Sequence, residues 1–266
     1  FHFPQAQVMA DSEIEDVLRF PRRYRLPCIS HRPCPVTQGL SDRESWTWNE
    51  FKLTNFHFPG QTLYHGALLV EPPKGPRVLF TGDSFGGGLW LTDYCAGNRN
   101  FLDADQGPRL CLRLLREIGP DLVVEAHAGA ARWTLAQADA KEAAFVDRVE
   151  LLRSMLPWEH PNFGVDEHWV RVYPYEQDVG AGISFRLDAV MTNHGSADAV
   201  AQVSAVLSPG WSQEGAHEVT VSVGARSVGR ASPVIRVPAD AAPGLYVIPL
   251  RVTWNGRYLG QIRHGT

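Results

Sequence analysis

The chain has 266 residues, of which 44% are hydrophobic and 20% charged, with a formal net charge of −4. That composition belongs to a folded globular protein and excludes disordered and fibrous classes. There is no dense basic patch to attract nucleic acid or an anionic membrane, no apolar run of the ~18 residues that would span a bilayer, and too few cysteines for a disulfide-built scaffold.

The four cysteines are Cys28, Cys34, Cys95 and Cys111, with no CxxC pair, so the redox compartment stays open. Phe1-His2-Phe3-Pro4 reads as mid-domain sequence, and the chain is expected to be a piece of a longer protein. A signal peptide upstream is compatible with this, so cytoplasmic and exported locations are both open.

Ser12-Glu13-Ile14-Glu15 has the form of a capping box opening a short helix that must end before Pro21, and the stretch from Pro21 to Pro35 is proline-rich and extended. Leu68–Val70 and Val78–Phe80 are expected to pair as strands, because Pro72-Pro73-Lys74-Gly75-Pro76 supplies the dihedrals of a reversal. Pro108 to Ile118 has the apolar spacing of a helix, with Leu110, Leu114 and Leu115, and Gly119-Pro120 stops it. Leu122-Val123-Val124 is a buried strand that leads to His127. A second helix runs from about Thr134 to Met155, with Leu135, Ala138, Phe145, Val149 and Leu152 on its apolar side and Pro157 closing it. Strand, helix, strand, helix is an α/β rhythm.

After Gly180 the helical periodicity disappears. Ile183 to Val190 and Val219 to Val223 alternate as half-buried strands, and Ala241 to Leu250 gives a turn and another strand before the hairpin signal Asn255-Gly256. The expected organisation is therefore an α/β domain over residues 1–178 and an all-β, immunoglobulin-like sandwich over 179–266.

Three candidate metal ligands stand at predicted strand ends: His65, Asp83 in Thr81-Gly82-Asp83-Ser84, and His127 in Glu125-Ala126-His127-Ala128-Gly129. Imidazole and carboxylate are the donors of hydrolytic zinc, which acidifies a bound water and polarises the scissile group, and a carboxylate can bridge two such ions. Each also has a plain reading, since Gly-Asp after a strand is commonly a turn and a histidine there a satisfied polar residue.

In order, Pro59-Gly60-Gln61-Thr62-Leu63-Tyr64-His65, a strand pair, Gly82-Asp83, a helix and His127-Ala128-Gly129 resemble the metallo-β-lactamase-fold hydrolases over roughly residues 1 to 178. The resemblance implies an αββα sandwich with its N-terminal portion missing, and zinc as the cofactor, two ions in the intact enzyme, with iron or manganese as alternatives. It implies that His65 binds one metal, Asp83 bridges both and His127 binds the other. The substrate would be a small molecule carrying an ester, amide, lactone, thioester or phosphoester. Gln61 stands where the family pattern has its loop histidine, so either Gln61 or His65 is the loop ligand, and the role is carried to His65. The family's His-x-His-x-Asp-His cluster is absent from this chain and is expected upstream of Phe1. The competing reading is a non-catalytic binding or structural protein that keeps the fold without that cluster. An appended sandwich of this kind hints at an exported bacterial protein.

Other clusters have weaker claims. Cys28 to Cys34 has the spacing to pinch a metal but offers three soft ligands without a fourth; Phe85-Gly86-Gly87-Gly88 lacks the Lys-Ser/Thr of a phosphate loop. Asp93, Tyr94, Asn98 and Arg99 form a polar stretch suited to substrate contact or to a solvated loop. Trp158 to Trp169, rich in His and Trp, is expected to pack a domain interface or to form a second site. His194, His217 and His264 have no partner spacing and are expected at the surface.

Overall fold

A computed structural model describes residues 3, 5–26, 30–84, 100–127 and 129–266. The sequence readings for Cys28, for the glycine loop 85–88 and for Asp93, Tyr94, Asn98 and Arg99 lie outside them. The chain divides into two compact units, Phe1–Pro21 with Leu26–Glu167 and Arg22–Arg25 with His168–Thr266.

The first unit opens with strand β1 (Met9–Asp11) and helix α1 (Ser12–Arg19), and β1 pairs in parallel with β2 (Gln38–Leu40). The α1 cap is Asp11 rather than the expected Ser12. The Asp11 carboxylate accepts from the Glu13 amide at 2.9 Å, which satisfies an N-terminal donor one residue earlier than the sequence pattern places it. The helix ends at Phe20, before Pro21, as the missing proline amide requires.

The main sheet has six strands in the order β3 (Ser45–Trp48), β4 (Phe51–His57), β5 (Gly66–Glu71), β6 (Val78–Gly82), β7 (Leu122–Glu125) and β8 (Gly129–Ala131). Neighbours are antiparallel except β6 and β7, which are parallel and joined by a crossover containing helix α2 (Gly107–Ile118). Gly119 takes the left-handed conformation at φ 54° that ends α2, and the Arg77 guanidinium donates to the last carbonyls, Ile118 O at 2.7 Å and Gly119 O at 3.3 Å. Helix α3 (Leu135–Met155) starts with a capping box between Thr134 and Gln137.

One core unites the sheet with both helices. Phe56, Leu69, Leu79 and Val123 of the strands and Phe58 just after β4 pack with Leu112, Leu115 and Ile118 of α2 and with Phe145 and Val149 of α3. Arg109 to Glu142 at 2.8 Å ties the two helices beside that core. Leu135, expected on the buried stripe of α3, is 64% exposed, because the helix starts at the surface and only Ala138, Phe145 and Val149 are buried. Among the described residues this unit has one large sheet with helices packed on its core face.

The second unit is built from antiparallel strands. β9 (Val170–Tyr173) pairs with β11 (Asp188–Thr192), which also pairs with β15 (Val228–Ala231). β10 (Ser184–Arg186) and β13 (Ser212–Glu214) flank β16 (Val234–Arg236). β12 (Ala199–Ala205), β14 (Val219–Val223), β17 (Ile248–Trp254) and β18 (Arg257–Gly265) make a four-stranded sheet in the order β14-β12-β17-β18. Ala199, Ala201 and Val203 alternate inward on β12, as do Ile248, Leu250, Val252 and Trp254 on β17.

Two expectations change here. The unit begins at His168 rather than after residue 178, because β9 hydrogen-bonds to β11 from Met191 opposite Val170 to Asp188 opposite Tyr173. The expected single strand from Ile183 to Val190 is two strands in different sheets, broken at Leu187. Opposite that break Pro233 separates β15 from β16; it has no amide to continue a ladder, and its carbonyl accepts from Leu187 N at 3.0 Å.

Candidate metal centre

The parallel pairing of β6 with β7 aligns two strand ends that are far apart in sequence. Gly82 lies opposite Glu125, and Ala126 N donates to Gly82 O at 2.9 Å, so the residues that follow each strand emerge together. Those residues are Asp83 and His127. The His127 Nε2 atom is 3.2 Å from Asp83 Oδ1, with the Asp83 side chain 33% and the His127 side chain 83% exposed. The C-terminal ends of parallel strands are where α/β sheets bind their ligands, because the backbone ladder leaves those positions free to project loops.

The second oxygen of Asp83 is held from the β4–β5 loop. Gln61 Nε2 donates to Asp83 Oδ2 at 3.1 Å, while the Oδ1 atom has no aligned hydrogen-bond donor.

The loop that carries Gln61 is itself pinned. Phe58 N donates to His65 O at 2.8 Å and His65 N to Thr62 O at 3.2 Å, closing the loop on its own backbone. The fully buried Asn100 then clamps it from α2's side of the chain, donating from Nδ2 to Gly60 O at 2.7 Å and to Gln61 O at 3.3 Å. Gly60 lies directly against Ser84: a Cβ at residue 60 would come within 2.3 Å of Ser84 Cβ.

His65 takes a different position. Its Nε2 lies 3.0 Å from Thr81 O, which fixes that nitrogen as the donor in the neutral ring. Burial pushes its pKa below the ordinary imidazole value, against the opposing pull of the Thr81 carbonyl and the Asp83 charge. The ring packs on Gly82, whose φ of 55° and lack of a side chain make room: a Cβ there would lie 2.5 Å from Nε2. Thus the structure brings Asp83, His127 and Gln61 together and turns the Nε2 of His65 toward the sheet backbone.

A polar network that the motif pattern did not predict lies behind His65, on β1 and β4. Buried Asn55 donates to Asp11 Oδ2 at 2.7 Å, and His57 Nδ1 stands 3.8 Å from Asp11 Oδ1. Burial raises the pKa of Asp11, but His57, Asn55 and the Glu13 amide together outweigh it and hold the carboxyl below its ordinary value. At 3.8 Å the His57 contact is too long for a hydrogen bond. The signal in the sequence was the pair of polar residues, Asn55 and His57, flanking Phe56 on a strand whose other even positions, Lys52 and Thr54, are polar too.

The remaining candidates are accounted for structurally. His160 Nε2 meets Asp103 Oδ1 at 3.1 Å, and Asn162 donates to Asp103 Oδ2 at 2.7 Å while accepting from Leu102 N at 2.8 Å. Trp158 packs on Phe163 in the first unit and Trp169 on Trp254 in the second. His194 is buried at 5% exposure, contrary to expectation, beside an Asn193 whose amide donates to Ala197, Val223 and Gly224 carbonyls. His264 is half-buried and bonds to Tyr175 Oη at 3.0 Å, and His217 is exposed as expected.

Zinc takes three protein ligands in catalytic sites and four in structural ones. The described residues offer two converging donors, Asp83 and His127, and among them no group of three His, Cys, Asp or Glu side chains is close enough to hold a metal ion. The described residues therefore do not make up a metal centre by themselves. No described helix is long and apolar enough to cross a membrane.

No protein-family model matches the chain, and no curated protein matches it. Among solved structures, a metallo-beta-lactamase from Elizabethkingia meningoseptica is similar at 14% identity with a TM-score of 0.39, over 55% of this chain and 63% of that one. A metallo-beta-lactamase from Novosphingobium pentaromativorans is similar at 15% identity with a TM-score of 0.41, over 56% of this chain and 62% of that one. A third, an MSP-domain-like protein from Caenorhabditis elegans, is similar at 18% identity with a TM-score of 0.20, over 28% of this chain and 60% of that one. The chain spans about three fifths of the length of each of these proteins.

Proposed function

We propose that the first unit carries part of the active centre of a metal-dependent hydrolase of the metallo-β-lactamase type, acting on an ester, amide, lactone, thioester or phosphoester of a small molecule. The observation that carries this reading is the meeting of Asp83 with His127 at 3.2 Å, at the ends of the parallel strands β6 and β7. The order of the motifs along residues 1–178 supports it. In this reading Asp83 and His127 are ligands, and the donors that complete the shell come from outside the described residues. Zinc, as two ions, is the proposed cofactor, with iron or manganese as alternatives. Gln61 orients the Asp83 carboxylate, and His65 holds the floor of the site through Thr81. Residues 179–266 are proposed as an immunoglobulin-like sandwich, on the basis of their antiparallel strands and alternating buried positions.

The two-donor count favours a second reading, a non-catalytic binding or structural protein that keeps the fold without a complete metal shell. Elemental analysis of the purified full-length protein, with Asp83→Ala and His127→Ala beside it, separates the two. Bound zinc, iron or manganese that both variants lose supports the hydrolase. A folded wild-type protein without tightly bound metal supports the second reading, and metal content unchanged in both variants rejects the ligand assignment.

A further inference from the structure

The second unit contains a cleft that has no part in the Asp83 site. It has a volume of about 300 Å³ and lies between the Arg22–Arg25 segment, the β9–β10 connection and the loop that precedes β17. One wall is aromatic. Trp211 stands at the centre, 4.8 Å between ring centroids from Tyr246 and 6.5 Å from Phe185. The Tyr246 hydroxyl donates to Ala242 O at 2.8 Å, which fixes its ring within its own loop. The lining also has a polar part. Arg22 makes paired bonds to Asp178, at 2.9 and 3.1 Å, and meets Glu176 at 2.9 and 3.1 Å.

We infer that this cleft is a carbohydrate-binding site that takes one or two neutral sugar rings. A sugar needs two kinds of surface at once. Its C–H face removes water from an aromatic face, and its equatorial hydroxyls need planar groups that both donate and accept. Trp211 with Tyr246 supplies the first, and the Arg22–Glu176–Asp178 cluster supplies the second, since each carboxylate oxygen keeps a lone pair beyond the one that Arg22 uses. The volume lies at the small end of ligand pockets, which fits a mono- or disaccharide unit and not an extended peptide.

Two other ligand classes fit less well. An organic anion meets two carboxylates against one guanidinium. A quaternary ammonium needs rings that enclose it; here Trp211 meets Phe185 edgewise and packs directly on Tyr246 at 4.8 Å, tilted by 46°, which leaves no room for a cation between Trp211 and Tyr246. Leu245, at the rim and 77% exposed, extends the apolar wall toward solvent, as expected where a polymer chain runs on beyond the bound rings.

The test uses the full chain. Retention is measured on insoluble cellulose, chitin, xylan and starch, in parallel with a printed array of protein-linked glycans, so that structural polysaccharide and glycoprotein sources are distinguished. Retention on at least one of these surfaces is expected, competed by the matching soluble oligosaccharide and reduced at least tenfold by Trp211→Ala. Leu245→Arg, at an exposed rim residue whose replacement disturbs no core contact, is expected to reduce it as well. It decides the outcome if Trp211→Ala does not fold. No retention on any surface, retention equal to wild type in the folded variants, or binding only to a tetramethylammonium resin overturns the inference.

Discussion

His127 reaches Asp83 across the only parallel pair in the main sheet of the described residues, with 3.2 Å between Nε2 and Oδ1, while the Gln61 amide holds the other carboxylate oxygen at 3.1 Å. Asp83 therefore has one oxygen fixed within the protein and one turned toward an exposed imidazole. In the proposed reading, where Asp83 is a metal ligand, the Gln61 amide sets the direction of its carboxylate.

Replacement of that neighbour is expected to act through orientation. Gln61→Ala should leave thermal stability close to wild type and lower metal affinity or hydrolytic activity about 10- to 100-fold, the usual effect of removing a partner of a ligating group. Metal titration of the variant against wild type measures it, and equal affinity would show that the Asp83 carboxylate orients itself.

Gly60 and Ser84 give two opposite expectations from one contact. Gly60→Ala forces a Cβ to within 2.3 Å of Ser84 Cβ and should cost about 1–3 kcal/mol in denaturant unfolding, with the Asp83 loop displaced. Ser84→Ala removes a buried hydroxyl that has no hydrogen-bond partner, so it should be neutral or stabilising by up to about 1 kcal/mol. A marked loss of stability in Ser84→Ala would show that the hydroxyl has a partner in solution.

Asn100→Leu should be the most damaging polar substitution in the first unit. It removes donors to the buried Gly60 O and the half-buried Gln61 O and the acceptor for the buried Phe101 N, at a cost of about 1–3 kcal/mol for each buried group left unsatisfied. Amide hydrogen exchange over residues 58–65 should quicken in the variant more than exchange in β17 of the second unit.

Asp11 sets the acid side of stability. Its folded pKa is depressed, so the charged carboxylate contributes stability at pH values above its ordinary unfolded pKa, and that contribution is lost as the pH falls through the folded value. Asp11→Ala should therefore be less stable than wild type at neutral pH, and the gap should narrow as the pH falls below about 4. Urea melts at a series of pH values measure it; a gap independent of pH would show that the Asp11 charge does not contribute to stability.

The parts legible in the sequence are those governed by local chemistry. Helices α2 and α3 end where Gly119 and the Leu156-Pro157 step dictate, and β5, β6 and β7 follow their apolar runs. The β3–β4 hairpin was not legible, because its two-residue turn is Asn49-Glu50, with Asn49 at φ 51°, and carries no Asn-Gly or Asp-Gly signal. The placement of Asp83 near His127 was implied by motif order, whereas the direction of the His65 ring was not, since it depends on a carbonyl 16 residues away. Asn100 stood in a stretch that was conspicuous only for its polarity, and nothing local ties it to Gly60. The burial of His194 likewise reflects tertiary packing that spacing does not record.

The parallel register of β6 and β7 also bears on when the site can exist. Strands β3 to β6 are hairpin neighbours that close over short connections, but β7 joins only after the crossover with α2 has been laid across the sheet. Closing a long loop before its contacts form is slow. Asp83 and His127 are therefore expected to become neighbours only after the β3 to β6 hairpins have closed, so that pulse-labelled hydrogen exchange should protect those strands before β7.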